Sequence, residues 1–216
     1  MKRPRELEEL SGFCYLLSRL FCSPPDREVR EDVKTLGWLA HDKGCEELGI
    51  EFTQLFSVPH PQRIHSHQSI YGDVLTIEAS SPDVTGCGIS FPGGKFRGYL
   101  GGESNSLVSR LYRTACFIPP DRAPAMADHI STELSFMGYL YLMEARFRKS
   151  DSEGKAKVFL KLREIFWTQF LGCWLKAFAE KVAVNQLSAF YRKVGHELLC
   201  FIERISSVRC VHITKT

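Results

Sequence analysis

Apolar residues recur at helical spacing along most of the chain, and one run does so on two faces at once. Ile130, Leu134, Met137, Tyr141 and Ala145 form one row, while Phe136, Leu140, Met143 and Phe147 form a second beside it. A helix apolar on two faces packs in the middle of a domain rather than on its outside. The other rows are amphipathic. Residues 5–22 carry Leu7, Leu10, Phe13, Leu16, Leu17, Leu20 and Phe21 and stop at Ser23-Pro24-Pro25. Asp26 then stands as the cap of a helix with Val29, Val33, Leu36 and Leu39 inward, and a third helix spans about residues 46–56. Further rows lie over 104–117, over a long segment with Phe159, Leu162, Phe166, Phe170, Trp174 and Phe178, and over a last helix that Asn185 can cap. The pattern predicts an all-α fold of about seven helices, one globular domain over residues 1–216.

Residues 58–103 break every period with prolines, histidines and glycines, and read as a long loop inserted in the helical frame. Val74-Leu75-Thr76-Ile77 and Lys95-Phe96-Arg97-Gly98-Tyr99-Leu100 are β-like pieces able to pair as a small hairpin. His60, His65 and His67 carry a His-x-His pair, which can ligate a metal, although no Cys or acidic ligand lies close by in sequence. Gly93-Gly94-Lys95 has the flavour of a phosphate loop, but Phe96 stands where Ser or Thr would hold magnesium. An enzyme using either loop is the alternative function to be weighed. The main reading is a non-enzyme with no cofactor.

Charge changes this picture little. The net charge is +3, with residues 1–143 at −4 and residues 144–216 at +7. The basic residues of the last third alternate with apolar ones at helical period, the mark of solvated helix faces rather than of a nucleic-acid surface. Eight cysteines show no Cys-x-x-Cys and no zinc spacing. The N-terminus is too acidic to lead a signal peptide, and no run reaches the ~20 apolar residues of a membrane span. A cytoplasmic protein with reduced thiols is expected. Its oligomeric state stays open between a monomer and a domain-swapped dimer.

The chemistry gathers where the central helix begins. Asp128 stands at the expected N-cap, and His129 and Glu133 share a side of the first turn. Three readings compete: a general acid/base set, a cap with a packing histidine, and a carboxylate site for guanidinium groups beside an apolar groove.

The run Asp128-His129-Ile130-Ser131-Thr132-Glu133-Leu134-Ser135-Phe136-Met137 resembles the Asp-His-x-x-x-Glu-Leu-x-Phe-Met signature of the TorD/DmsD/NarJ family of redox-enzyme maturation chaperones. Glu51 to Phe56, Ser69-Ile70-Tyr71, Gly102-Glu103-Ser104 with Arg110-Leu111-Tyr112-Arg113, Trp174 to Ala179 and Phe190-Tyr191-Arg192 resemble further family segments in the same order, over about residues 10–205. Departures cluster near the signature. Ala125-Met126-Ala127 replaces the usual Glu-Pro before Asp-His, Phe170 stands for a family histidine, and residues from about 74 to 97 look inserted. The resemblance implies a cytoplasmic chaperone that binds the twin-arginine signal peptide of a molybdopterin-containing oxidoreductase. It would hold the apo catalytic subunit from export until the cofactor is loaded. The residues expected to bind the peptide are Asp128 and Glu133 for the arginines and Leu55, Phe56, Tyr71 and Phe136 for the groove, with Ser69 a further candidate and His129 either a group titrating near neutral pH that tunes affinity or a packing histidine; no nucleic acid and no stable membrane insertion are implied.

Overall fold

A computed structural model of the chain describes residues 3–39, 43–59, 61–77, 94–97 and 100–210. Among these the architecture is helical: α1 (Pro4–Cys22), α2 (Arg27–Thr35), α3 (Cys45–Phe52), α4 (Gln68–Gly72), α5 (Glu103–Thr114), α6 (Ile130–Lys149), α7 (Glu153–Phe166), α8 (Gly172–Ala183) and α9 (Ala189–Cys210). The expected hairpin is present as β1 (Val74–Ile77) and β2 (Gly94–Arg97), antiparallel with Val74 opposite Arg97. The phosphate-loop idea is corrected here. Gly94 and Lys95 lie in a strand, not ahead of a helix N-terminus, and Gly93 falls outside the described residues.

The two-faced helix is the centre, as its pattern requires. Every residue from Ile130 to Gly138 is buried. α1 runs along α6, and two of its hydroxyls bond α6 carbonyls: Ser11 Oγ donates to Gly138 at 2.8 Å and Ser18 Oγ to Ser131 at 2.7 Å. Gly138 permits this approach, because a Cβ there would lie 3.2 Å from both Cys14 Cβ and the Ser11 carbonyl oxygen. Phe136 packs edge-on to Phe166 at 4.8 Å and against Tyr112 and Phe117 at 4.7 and 5.1 Å. Such pairs add about 0.5–1.5 kcal/mol each beyond burial.

Several boundaries differ from the sequence expectation for local reasons. Asp26 does cap α2, accepting from Val29 N at 2.9 Å. The helix then ends at Thr35, so Trp38 rather than Leu36 turns into the core. The cap of α9 is Ser188, whose hydroxyl accepts from Tyr191 N, while Asn185 Oδ1 accepts from Ser188 N one step earlier. The long aromatic segment is interrupted by a π turn at Trp167–Leu171. One extra residue in that turn rotates the helix beyond it, so Leu171 and Trp174 are buried and Phe170 is left half-buried.

At its far end α6 is tied to α7 by a carboxylate between two guanidiniums. Glu144 Oε1 accepts from Arg148 Nε and Nη2 at 3.1 and 2.8 Å, and Oε2 accepts from Arg163 at 3.1 and 2.9 Å. The side chains of Glu144 and Arg148 are nearly sealed from solvent, and Arg163 also lies over the Tyr141 ring at 4.6 Å. Removing Glu144 leaves Arg163 without this partner and Arg148 with only the exposed Glu153 at 3.5 Å. Glu144→Ala is therefore expected to cost about 3–5 kcal/mol, read as a lowered urea midpoint, with Glu144→Gln intermediate.

Candidate functional site

The residues of the Asp128 signature are brought together, but in the interior. Asp128 and Glu133 are each 0% exposed, and His129 is buried. The expectation that the two carboxylates stand open at the mouth of a groove is corrected: a short segment, residues 66–71, lies across them. It is fixed by an antiparallel bridge between His67 and His129, in which Gln68 N donates to Asp128 O at 2.9 Å and Ile130 N to Ser66 O at 2.7 Å. Asp128 Oδ2 accepts from Ser69 N at 3.0 Å. Asp128 thus caps the short α4 turn across space, and His129 caps α6 in its place, Nδ1 accepting from Ser131 N at 3.2 Å.

Glu133 Oε2 accepts from the Trp174 indole at 3.1 Å, an arrangement the π turn makes possible by turning Trp174 inward. Tyr71 covers Trp174 with its ring 5.2 Å away, and Lys181 lies over the outer face of Tyr71 at 4.7 Å. Asp73, just after α4, takes Ser104 N at 2.9 Å and so caps α5; Tyr112 of α5 donates its hydroxyl to Ala127 O at 2.9 Å, and Asn105 Oδ1 accepts from Ala127 N at 2.8 Å. Those contacts give the Gly-Glu-Ser and Leu-Tyr-Arg segments a common purpose, which is to hold the approach to α6.

This junction is under-satisfied. Asp128 Oδ1, Glu133 Oε1, Ser69 Oγ, Gln68 Oε1, Thr132 Oγ1 and Ser135 Oγ are buried with no hydrogen-bond partner among the described residues. Each such atom costs about 1–3 kcal/mol when nothing replaces its water. Among the described residues no Lys or Arg pairs with Asp128 or Glu133. Burial pushes the Glu133 carboxyl well above the usual range, with Asp128 adding to the rise and the Trp174 bond opposing it. Burial, then His67, lowers His129 to about 3. An imidazole whose Nδ1 is an acceptor also has no use for a second proton.

The apolar candidates are core. Leu55 is fully buried. Phe56 is enclosed by Phe21, Phe52 and Tyr191 at 5.7, 5.3 and 5.2 Å, and Phe136 by its cluster with Phe166, Tyr112 and Phe117. Packed neighbours fill the space around Phe56 and Phe136, whereas Leu55 forms part of the lining of a groove of about 360 Å³ with Ile64, Lys181 and Leu187. Of the residues expected at the site only Tyr71 is part-exposed, and Ser69 is sealed beneath it. The histidine loop fares no better. His65 is exposed, His67 is half-buried against His129, and His60 lies outside the described residues. Among the described residues no group of three His, Cys, Asp or Glu side chains could hold a metal ion, and no helix is long and apolar enough to cross a membrane.

The two shifted groups pull stability in opposite directions with pH. Glu133 binds its proton more tightly folded than unfolded, so its contribution is complete below about 4.5 and is lost as pH rises through the raised value. His129 binds its proton less tightly folded, so stability falls as pH drops from 6.5 toward 3. Glu133→Gln keeps an acceptor for the indole and removes the titration. Urea midpoints of this variant are expected to gain on those of the parent protein as pH rises from about 5 to about 9; parallel curves would contradict the buried carboxyl.

The family model described as nitrate reductase delta subunit matches residues 23–180, well over half of the chain. A search of curated proteins and a search of solved structures returned no match. The matched span takes in the residues 66–71 segment, its hairpin, α5, α6 and the Trp174 turn, the parts that build the buried junction. The chain belongs to the nitrate reductase delta subunit family, a family of molybdoenzyme assembly chaperones.

Proposed function

We propose that this chaperone acts in the cytoplasm on the apo catalytic subunit of a molybdopterin-containing oxidoreductase. It binds that subunit's twin-arginine signal peptide and holds the enzyme from export until the cofactor is in place. The observation that carries the reading is a pair of buried carboxylates, Asp128 and Glu133, each with one oxygen unpartnered among the described residues. A guanidinium satisfies two such oxygens at once and is less strongly hydrated than an ammonium, so it suits a buried site, and its charge would draw the Glu133 carboxyl back to the ionised form.

In the closed form these oxygens are out of reach, so binding requires residues 66–71 to move. They are held by the two bonds of the bridge, the Ser69–Asp128 bond and the contacts of the Tyr71 ring with Trp174 and Lys181, with Asp73 just beyond them tied to Ser104. Each hydrogen bond contributes about 0.5–1.5 kcal/mol net. An incoming extended peptide can replace the bridge with its own backbone while its arginine meets Asp128 and Glu133. His129 and Ser69 then frame the opening, Tyr71 swings aside as its lid, and Phe136, Leu55 and Phe56 support it from the core.

Trp174 reports this event, because its indole donates to Glu133. With Trp38 and Trp167 replaced by Phe, a synthetic leader with two arginines is expected to change Trp174 emission saturably. The same leader with both arginines changed to Gln is expected to leave it unchanged. Asp128→Asn, which retains an acceptor for Ser69 N, should weaken binding by about tenfold or more. Equal affinity of that variant and the parent protein would remove the carboxylates from the reading.

A further inference from the structure

The groove of about 360 Å³ that Leu55 helps to line runs between residues 61–64 and the end of α8 with its turn into α9, residues 184–187. Its lining carries two cations, Arg63 and Lys181, and no acid. Arg63 Nε donates to the Phe56 carbonyl at 3.2 Å, and Lys181 lies over the Tyr71 ring at 4.7 Å. Neither forms an ion pair among the described residues. A third cation stands behind the wall: Arg192 Nη1 donates at 2.9 Å to the carbonyl of Asn185, itself a lining residue.

The acids closest in sequence and bonding to this groove are engaged elsewhere. Glu51 accepts from Ser188 at 2.6 Å and is paired with Lys43, and Glu180 is turned toward Lys176 at 3.9 Å. Neither belongs to the lining. The positive field reaches His65 in the same loop, whose pKa is lowered by burial first and then by the charges of Arg63 and Lys181. Beside the cations the groove is apolar. Leu55 and Ile64 are buried in it, Leu187 is half-buried, and Val184 is 73% exposed at its rim.

We propose that this groove is a docking site for an acidic segment of the client protein, a carboxylate side chain next to an apolar one. Charge complementarity selects the occupant. A carboxylate takes the Arg63 guanidinium through its N–H groups and the Lys181 ammonium as a point charge, while the apolar neighbour covers Val184 and Leu187. The net charge of +7 over residues 144–216, which include Lys181 and Arg192, favours the approach of such a segment. The arginines of a leader are repelled from the same groove, so the inference goes beyond the leader-peptide reading and does not depend on it.

The test uses the full chain and a rhodamine-labelled peptide carrying Glu-Glu-Leu-Leu, with Gln-Gln-Leu-Leu as its control, read by anisotropy. The acidic peptide is expected to bind saturably and the control about tenfold more weakly. Arg63→Gln with Lys181→Gln is expected to bring the acidic peptide down to the level of the control, whereas Lys181→Arg retains its binding. Gln186→Lys adds a cation at an exposed lining position and is expected to tighten binding about two- to fivefold. Val184→Asp is expected to weaken it by a similar factor. A merely structural role for these exposed residues does not produce opposite signs, and both charge effects should shrink as salt is raised. Equal affinity of the parent protein for the two peptides, no saturable binding of either, or unchanged affinity in the double variant overturns the proposal. Loss of the Trp174 response to the leader, with the acidic peptide still bound, overturns the leader reading alone.

Discussion

The constraint on which this structure turns is the burial of two acids that no Lys or Arg among the described residues pairs with. Asp128 and Glu133 sit at the first turn of a helix that is apolar on nearly every side, where an ionised carboxylate is costly. Everything around them is arranged to make that tolerable: the Ser69 amide, the Trp174 indole, the His129 cap and the segment that shuts the solvent out. Among the described residues one oxygen of each acid is left without a partner. A fold that needed only stability would place apolar groups there. Incomplete satisfaction at a helix start so rich in polar groups is the kind of local conflict that marks function in an otherwise consistent sequence.

The helical frame is legible in the sequence because periodicity and caps agree. The double row on Ile130 and Phe136 announces a central helix, and Pro24 with Asp26 sets the corner between α1 and α2. What periodicity does not show is phase within a long helix. The π turn at Trp167–Leu171 leaves no signature in spacing, yet it decides that Trp174 rather than Phe170 faces Glu133. The Glu144 pair is equally invisible, because Arg163 meets it only after α7 folds back on α6.

The site is half legible. Its residues are identifiable as a set, and the bridge between His67 and His129 does bring Ser69 and Tyr71 to Asp128. Their exposure is not identifiable, since residue type says that a carboxylate is polar and nothing about what lies over it. Capping goes the same way. Asp128 has the chemistry of an N-cap and serves as one, but for α4, 59 positions away in sequence.

The two ends of α6 are built to opposite standards. Around Glu144 every carboxylate oxygen is matched and two helices are bolted together, whereas at the opposite terminus Asp128 and Glu133 each keep one oxygen without a partner among the described residues. On the proposed reading, leader binding reworks the front of the molecule while the Glu144 ties keep the helical frame behind it, so one scaffold serves through capture and release without unfolding.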